Sequence, residues 1–451
     1  MDNSDKIKTR INFKSESFKK YFINTSWLFG EKIVRILISF VVTIFVIRYL
    51  GPKDFGLLSY ALSFYGLFSA ISILGLETIT IRELVKNPDK RDDLLGSVFL
   101  LRLLGGVSTI IFIALTLNFS GESTNISILI LIVSSSAIFH SFSVVDYYFR
   151  AEVKAKYSVY IFLSTVLIVA IIKIMLIIFE AQLIYFAIAF SVEFILAAAG
   201  FMIVYRFNKL KLSRWKFNKE IAVSLLKDSW PLILSGLAIS VYMKVDQVMI
   251  KNMLNSEEVG FYAVAVRLSE AWYFIPVALT SSLFPAIVNA KKVGEEFYNN
   301  RIQKLYDILA WMAIAIALPV SIFSSDIIRI IFGNEFNSAA PVLTIYVWAG
   351  VAVFLGVASN QYLANENYTK LSFFRTFIGM IFNVVLNFIL IPEYGIVGAA
   401  VATLISYSVA VFSIILFPKT KKQFFMMMKS LLFVNIISQS LKIRSKRNDK
   451  T

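Results

Sequence analysis

YFRAEVKAKYS, residues 148–158, returns 214 positions later as YLANENYTKLS, residues 362–372. Tyr148 and Tyr362, Glu152 and Glu366, Lys156 and Lys370, and Ser158 and Ser372 are identical pairs. Upstream, Leu129/Leu343 and Val133/Val347 keep the same offset. Hydrophobicity alone does not demand a glutamate and a lysine at matched places, so composition does not account for the likeness. Other stretches pair in the same order. SWLFG (26–30) and SWPLI (229–233) open the two halves. LGPKDFG (50–56) and LNSEEVG (254–260) mark a first turn in each. IFEAQLIYFAIA (178–189) matches IPEYGIVGAAVA (391–402). The chain is a duplicated one.

Both copies are built from apolar runs. Of 451 residues, 58% are hydrophobic and 16% charged, against roughly 45–50% and 25% in soluble domains. Runs near 20 residues recur from Trp27 almost to Pro418, each long enough to cross a hydrocarbon core. A β-barrel would show short alternating segments instead. The runs predict spans at 25–49, 55–81, 94–118, 126–149, 157–179, 183–206, 223–250, 259–289, 305–332, 340–364, 371–391 and 395–417. The fold expected is an all-α polytopic membrane protein of about twelve transmembrane helices. They form two six-helix lobes related by a pseudo-twofold axis along the membrane normal, with the substrate path between them. The division places an N-terminal lobe with a basic arm at 1–206, a cytoplasmic linker at 207–222 and a C-terminal lobe at 223–417. A basic cytoplasmic tail follows at 418–451, with an interfacial helix at 424–441. No removable signal peptide is read in the first 23 residues.

The formal charge of +16 is a topology signal. On one side of the predicted spans lie 34 of the 45 Lys and Arg residues, whereas Arg48, Lys53 and Lys251 lie opposite. By the positive-inside rule both termini are cytoplasmic. The same balance suits anionic membrane lipids, not nucleic acid. There is no cysteine and a single histidine, His140, so thiolate and His-rich metal chemistry are excluded. No phosphate-binding glycine loop is present. No catalytic residue, metal site or cofactor is expected, and the chain reads as a transporter or scaffold, not an enzyme.

Charges inside the spans carry the functional reading, since each costs roughly 2.5–3.5 kcal/mol at mid-bilayer. In VYMKVDQVMIKNML (241–254), Lys244 lies about 13 Å of helix from the end of its span, and Arg267 lies about 12 Å down the next. Lys244 and Asp246 are two apart, about 200° around a helix, and cannot pair with each other. Asp246 is expected to face Arg267 or a coupling cation, and Lys244 to face a wet lumen. Structural pairing is the competing reading for all three. Arg102, Lys173 and Arg35 are further basic candidates for substrate binding, and Glu270 and Glu31 join Asp246 as acids able to couple an ion. Glu31 and Arg35, four apart, also suit a plain intrahelical pair. Lys32, Arg329 and Arg375 are expected to snorkel to an interface, and His140 to be a neutral residue in a packing seam. Pro231, Pro276 and Pro319 are expected to kink their helices.

Over roughly residues 20–417 the chain resembles the Wzx-type polysaccharide flippases, the O-antigen and capsule repeat-unit flippases. These belong to the polysaccharide transporter family of the multidrug/oligosaccharidyl-lipid/polysaccharide exporter superfamily. The likeness rests on IRYLGPKDFGLLSYALSF (47–64), GLETITIREL (75–84), FRAEVKAKY (149–157), VDQVMIKNMLNSEEVGFYAVAVRLSE (245–270) and LIPEYGIVGAAVATLISY (390–407). AVRLSEAWYFIP (265–276) is similar to the eighth-span stretch of the related peptidoglycan-precursor flippases that carries an arginine, and points to Arg267. Arg35 is the only first-half arginine carried over, and the other first-half arginines of that relative have no clear match here. The resemblance implies two six-helix lobes in an inverted V and export of undecaprenyl-pyrophosphate-linked oligosaccharide across the bacterial inner membrane. It also implies H+ or Na+ as coupling ion, with a polysaccharide polymerase and a chain-length regulator as partners. Two rivals remain open: a cation-coupled multidrug exporter, which favours an acidic, aromatic cavity, and a non-transporting scaffold, which is indifferent to lumen charge.

Overall fold

The computed structural model describes residues 16–432, with side chains from residue 23 onward. The first 15 residues and those beyond 432 lie outside it, and with them the 433–441 part of the expected interfacial helix. Every regular element among the described residues is helical, as a membrane interior requires where no water is present to satisfy open backbone groups. The first half contains α1 (Glu16–Ile73), α2 (Leu76–Lys86), α3 (Arg91–Ser120) and α4 (Thr124–Ser134). It continues with α5 (Ser136–Phe139), α6 (Val144–Ala151), α7 (Lys156–Ile178) and α8 (Leu183–Phe207). The second half contains α9 (Lys219–Met253), α10 (Ser256–Glu270), α11 (Phe274–Ala290) and α12 (Glu295–Ile322). After it come α13 (Ser324–Phe332), α14 (Ala339–Asn365), α15 (Thr369–Phe412) and α16 (Lys421–Leu431).

Among the described residues, ten segments are long and apolar enough to cross a membrane. Two of them are double. Helix α1 has 58 residues, about 87 Å if straight against a core of about 30 Å, and it breaks at Gly51 (φ 68°, ψ 178°). Helix α15 breaks at Gly395 (φ 58°), and a β-carbon on Gly398 would lie 2.2 Å from the Leu390 carbonyl oxygen, so the chain doubles back there. Counting each as two gives about twelve crossings, the number expected.

The predicted ninth span, 305–332, is corrected. The crossing helix starts ten residues earlier and stops at Ile322, where the Phe323 amide bonds Pro319 O at 2.9 Å. Asp326 and Arg329 fall on the separate helix α13, where they pair at 2.6 Å with both side chains more than half exposed. The eighth span is also interrupted. Ala271–Tyr273 form turns, and Pro276 sits in the first turn of α11, a position where its missing N–H costs nothing.

Contacts divide the chain into two compact units. Unit 1 comprises residues 1–49 and 68–236, and unit 2 comprises 50–67 and 237–451. In unit 1 Ser97 Oγ accepts from the Asn218 amide at 2.9 Å, Arg82 pairs with Asp228 at 2.7 Å, and Phe149, Phe201 and Tyr205 anchor the core. In unit 2 the core centres on Tyr306, Leu309 and Phe354. There α16 buries Met426 and Met427, while Gln423 accepts from Tyr306 Oη at 2.8 Å and Ser430 donates to Asp307 at 2.6 Å. Unit 2 also holds a reciprocal helix crossing. A β-carbon on Gly56 would meet Ser256 O at 1.8 Å, and one on Gly260 would meet Pro52 O at 2.0 Å. Gly56 and Gly260, the last residues of the matched LGPKDFG and LNSEEVG turns, thus each abut the main chain of the other turn.

The duplication is visible bond for bond. The Glu152 and Glu366 amides bond Tyr148 O and Tyr362 O, both at 3.0 Å. Those of Val153 and Asn367 bond Arg150 O and Ala364 O, both at 3.2 Å. Those of Lys154 and Tyr368 bond Phe149 O and Leu363 O at 2.8 and 2.7 Å. Val153 (φ 57°) and Asn367 (φ 58°) occupy the same left-handed position. Asparagine tolerates it, but a β-branched residue is strained there. Val153→Asn is expected to raise the thermal unfolding midpoint of purified protein, by relieving about 1 kcal/mol or more. Gly260→Leu is expected to lower it by about 1–3 kcal/mol or abolish folding, since the obstructing atom is backbone.

Candidate functional site

The centre of α9 presents a carboxylate to the interior of unit 2. Asp246 is 3% exposed. Its Oδ1 accepts from Asn387 Nδ2 at 2.6 Å, and its Oδ2 from Tyr262 Oη at 2.7 Å and Thr403 Oγ1 at 2.8 Å. Tyr262 comes from α10, and Asn387 and Thr403 flank the Gly395 turn of α15. The expected partner Arg267 is not among these donors. Three neutral groups hold the acid instead, because Arg267 projects from a different face of α10 than Tyr262. Neutral donors stabilise the carboxylate without cancelling its charge. One turn before Asn387, fully buried Asn383 lies within reach of Asp246 and neither of its side-chain polar atoms has a partner. The Asn387 Oδ1 is also buried without a partner. Asp246 is thus held by neutral donors alone, with two further buried amide oxygens, of Asn383 and Asn387, left without partners nearby.

Beside this sealed acid lies an accessible charged cluster. Residues 259–266, 268 and 269 of α10 are all buried, whereas Arg267 between them is exposed. An exposed arginine in the last turn of α10, inside an apolar span, implies a hydrated face, since lipid exposure at that depth is costly. Half-buried Glu270, one turn on, lies within electrostatic reach of both Lys244 and Arg267 and accepts from Tyr346 Oη at 3.4 Å. Lys244 is half-buried, its Cγ lying 3.1 Å from where a β-carbon on Gly66 would stand. The α10 helix ends just past this group, at the turns of 271–273.

The first-half candidates sit apart, in unit 1. Glu31 is 4% exposed and Arg35 pairs with it at 2.7 Å, the intrahelical pair the spacing predicts. Arg102 is 1% exposed and donates to Ser143, Tyr147 and His140 Nδ1, the last at 3.1 Å, so it reaches no open surface. A guanidinium only donates, so His140 Nδ1 accepts and the imidazole is neutral on that nitrogen. Lys173 is half-buried on α7. Arg375, expected to snorkel, is instead 4% exposed, bonded to Ser359 Oγ at 2.9 Å and Gly356 O at 3.1 Å.

Asn383, Asn387, Thr403 and Tyr262 were not singled out in the sequence. A signal existed: MIFNVVLNFIL (380–390) carries two asparagines four apart, hence on one helix face, in an otherwise apolar run.

A model of the family described as polysaccharide biosynthesis protein matches residues 22–291, and a model described as MatE matches residues 231–389. Among curated proteins, the chain is 28% identical over 219 residues to the probable low-salt glycan biosynthesis flippase Agl15 of Haloferax volcanii. That match covers 48% of this chain and 46% of the relative, so it spans about half of that protein's length. The probable flippase AglR of the same organism is 24% identical over 84% of this chain and 79% of its own. Among solved structures, the lipid II flippase MurJ in an inward closed conformation superposes with a TM-score of 0.70 at 17% identity, covering 93% of each chain. That likeness is one of fold.

Thr403→Val and Asn387→Leu each leave part of the buried carboxylate without a donor. Each is expected to cost about 1–3 kcal/mol of stability in detergent. The cost of Thr403→Val should shrink when Asp246→Asn is already present, a non-additivity that a double-mutant cycle reads.

Proposed function

This chain belongs to the polysaccharide biosynthesis protein family, and from that premise we propose that it flips a lipid-linked oligosaccharide, carried on undecaprenyl pyrophosphate, across the bacterial inner membrane for surface-polysaccharide synthesis. The observation that carries the reading is the exposed Arg267, with Lys244 in the same charged cluster. Lys244 sits within α9 and Arg267 in the last turn of α10. A pyrophosphate is too costly to move through hydrocarbon unaccompanied, and paired Lys and Arg side chains replace its hydration with charge-assisted hydrogen bonds. The polyprenyl chain needs no such help and stays in lipid. Glu270 beside the two cations limits how tightly the anion is held, which favours release.

The oxygen-lined spot at Asp246 supports coupling to Na+ or H+. Occupancy by either would neutralise the one carboxylate that its neutral donors leave charged, and would bias α9, α10 and α15 toward the arrangement in which all three grip it. Alternating access then moves the headgroup without any bond being made or broken. Both termini are assigned to the cytoplasm on the positive-inside distribution of basic residues. The multidrug alternative fits less well, because an exposed arginine with a half-buried lysine beside it repels the cationic cargo such exporters favour.

Lys244→Ala and Arg267→Ala are each expected to cut surface polysaccharide at least tenfold in cells at unchanged protein level. Undiminished polymer in both variants would sink the anion-site reading. Added NaCl, with KCl as the ionic-strength control, is expected to raise the unfolding midpoint of the wild type and not of Asp246→Asn. A ligand at 100 times its Kd stabilises by about 2.7 kcal/mol. Equal midpoints in both salts point to the proton, and the test is then repeated across pH.

A further inference from the structure

Unit 1 contains a recessed cavity of about 280 Å³ that the charged cluster of unit 2 does not use. At roughly 30 Å³ per molecule it has room for about nine waters, the scale of one pyranose ring with its hydroxyls. Its walls are of two kinds. Phe139, Tyr147, Phe162 and Phe194 supply aromatic surface, while Asp146, Glu193 and Arg35 supply polar groups. Arg35 lies 5.2 Å from the Phe162 ring centroid, and the His140 ring meets Phe194 edge-on at 5.5 Å. Flat apolar faces beside spaced acceptors and a guanidinium match the C–H faces and equatorial hydroxyls of a sugar.

The polar groups are not all spent on one another. Arg150 reaches Glu77 Oε1 at 2.5 Å and Asp146 Oδ2 at 3.6 Å. Asp146 is 7% exposed, yet its Oδ1 has no hydrogen-bond partner. The Ser158 hydroxyl lies within hydrogen-bonding reach of the Asp146 carboxylate, and both Ser158 Oγ and Asp146 Oδ1 are closed off from the cavity. Glu193, half-buried in the cavity wall, is the acceptor that a ligand can reach. A metal ion is a poor candidate, because no three acidic or histidine side chains among the described residues converge to hold one. Hydroxyl donors answer the need without adding charge.

We propose that this cavity is a subsite for a single neutral pyranose, with the ring against Tyr147 and Phe162 and its hydroxyls donating to Glu193. The proposal rests on the flippase reading and deepens it: the cargo's anionic and sugar portions are recognised by different constellations. The acidic wall excludes uronates and so makes the subsite selective.

The test uses purified full-length protein in nanodiscs. Methyl glycosides of glucose, galactose, mannose, N-acetylglucosamine and glucuronic acid are examined by saturation-transfer NMR, and inorganic pyrophosphate binding is measured by calorimetry on the same samples. At least one neutral glycoside should receive saturation on its ring C–H protons, and the glucuronide should not. Glu193→Gln should weaken the neutral glycoside at least tenfold. Ala197→Phe, which fills the cavity, should abolish the signal while pyrophosphate binding persists, the latter showing that each variant is folded. No transfer to any glycoside, with pyrophosphate still bound, overturns the subsite and leaves the flippase reading standing. Transfer that survives Ala197→Phe overturns it as well, as does preferential binding of tetraphenylphosphonium that Glu193→Gln abolishes. Glycoside binding without pyrophosphate binding supports the subsite and sinks the Lys244–Arg267 assignment alone.

Discussion

A carboxylate removed from water without a counter-charge is among the most expensive objects a protein interior can hold, and unit 2 is organised around one. The solution at Asp246 is to surround the acid with dipoles. A tyrosine hydroxyl, a threonine hydroxyl and a side-chain amide converge on it from α10 and α15. Each of those helices is thereby tied to α9 at mid-depth. An arginine partner would have locked the group as a closed ion pair. Neutral donors fix its position without supplying a counter-charge.

The two units handle charge differently. In unit 1 several charged side chains are engaged in internal pairs: Glu31 with Arg35, Arg150 with Glu77 and Asp146, Arg82 with Asp228. In unit 2 the cations of α9 and α10 lie beside an accessible face. Duplication supplied one backbone twice, and divergence of side chains assigned different chemistry to each copy.

Much of this was legible in the sequence because it was written in apolar run length and in polar residues at matched turns. The spans, the double crossings at Gly51 and Gly395, the Glu31–Arg35 pair and the 148–158/362–372 repeat all follow from local rules. What was not legible depends on tertiary direction. Hydropathy carries Leu305 through Phe332 as one run, and only the break after Pro319 separates Asp326 and Arg329 from the crossing helix. Arg375 lies near the start of an apolar helix, where snorkelling is the ordinary outcome; its burial depends on Ser359 and Gly356 of α14. The Asp246 cage draws on residues 141 and 157 positions away, a separation that no periodicity argument spans. The assignment of residues 50–67 to unit 2 follows from a crossing that a lone glycine in a repeat does not announce.

That crossing has a consequence of its own. Gly56 and Gly260 bring main chain against main chain, with nothing projecting from either helix at the point of touch. Such a seam freezes no rotamers when it forms and frees none when it parts. Its cohesion rests on dispersion and weak Cα–H···O contacts, each worth well under a typical hydrogen bond. A joint of this kind can be undone and remade many times with little entropic penalty and no interlocking parts to wear into a wrong register.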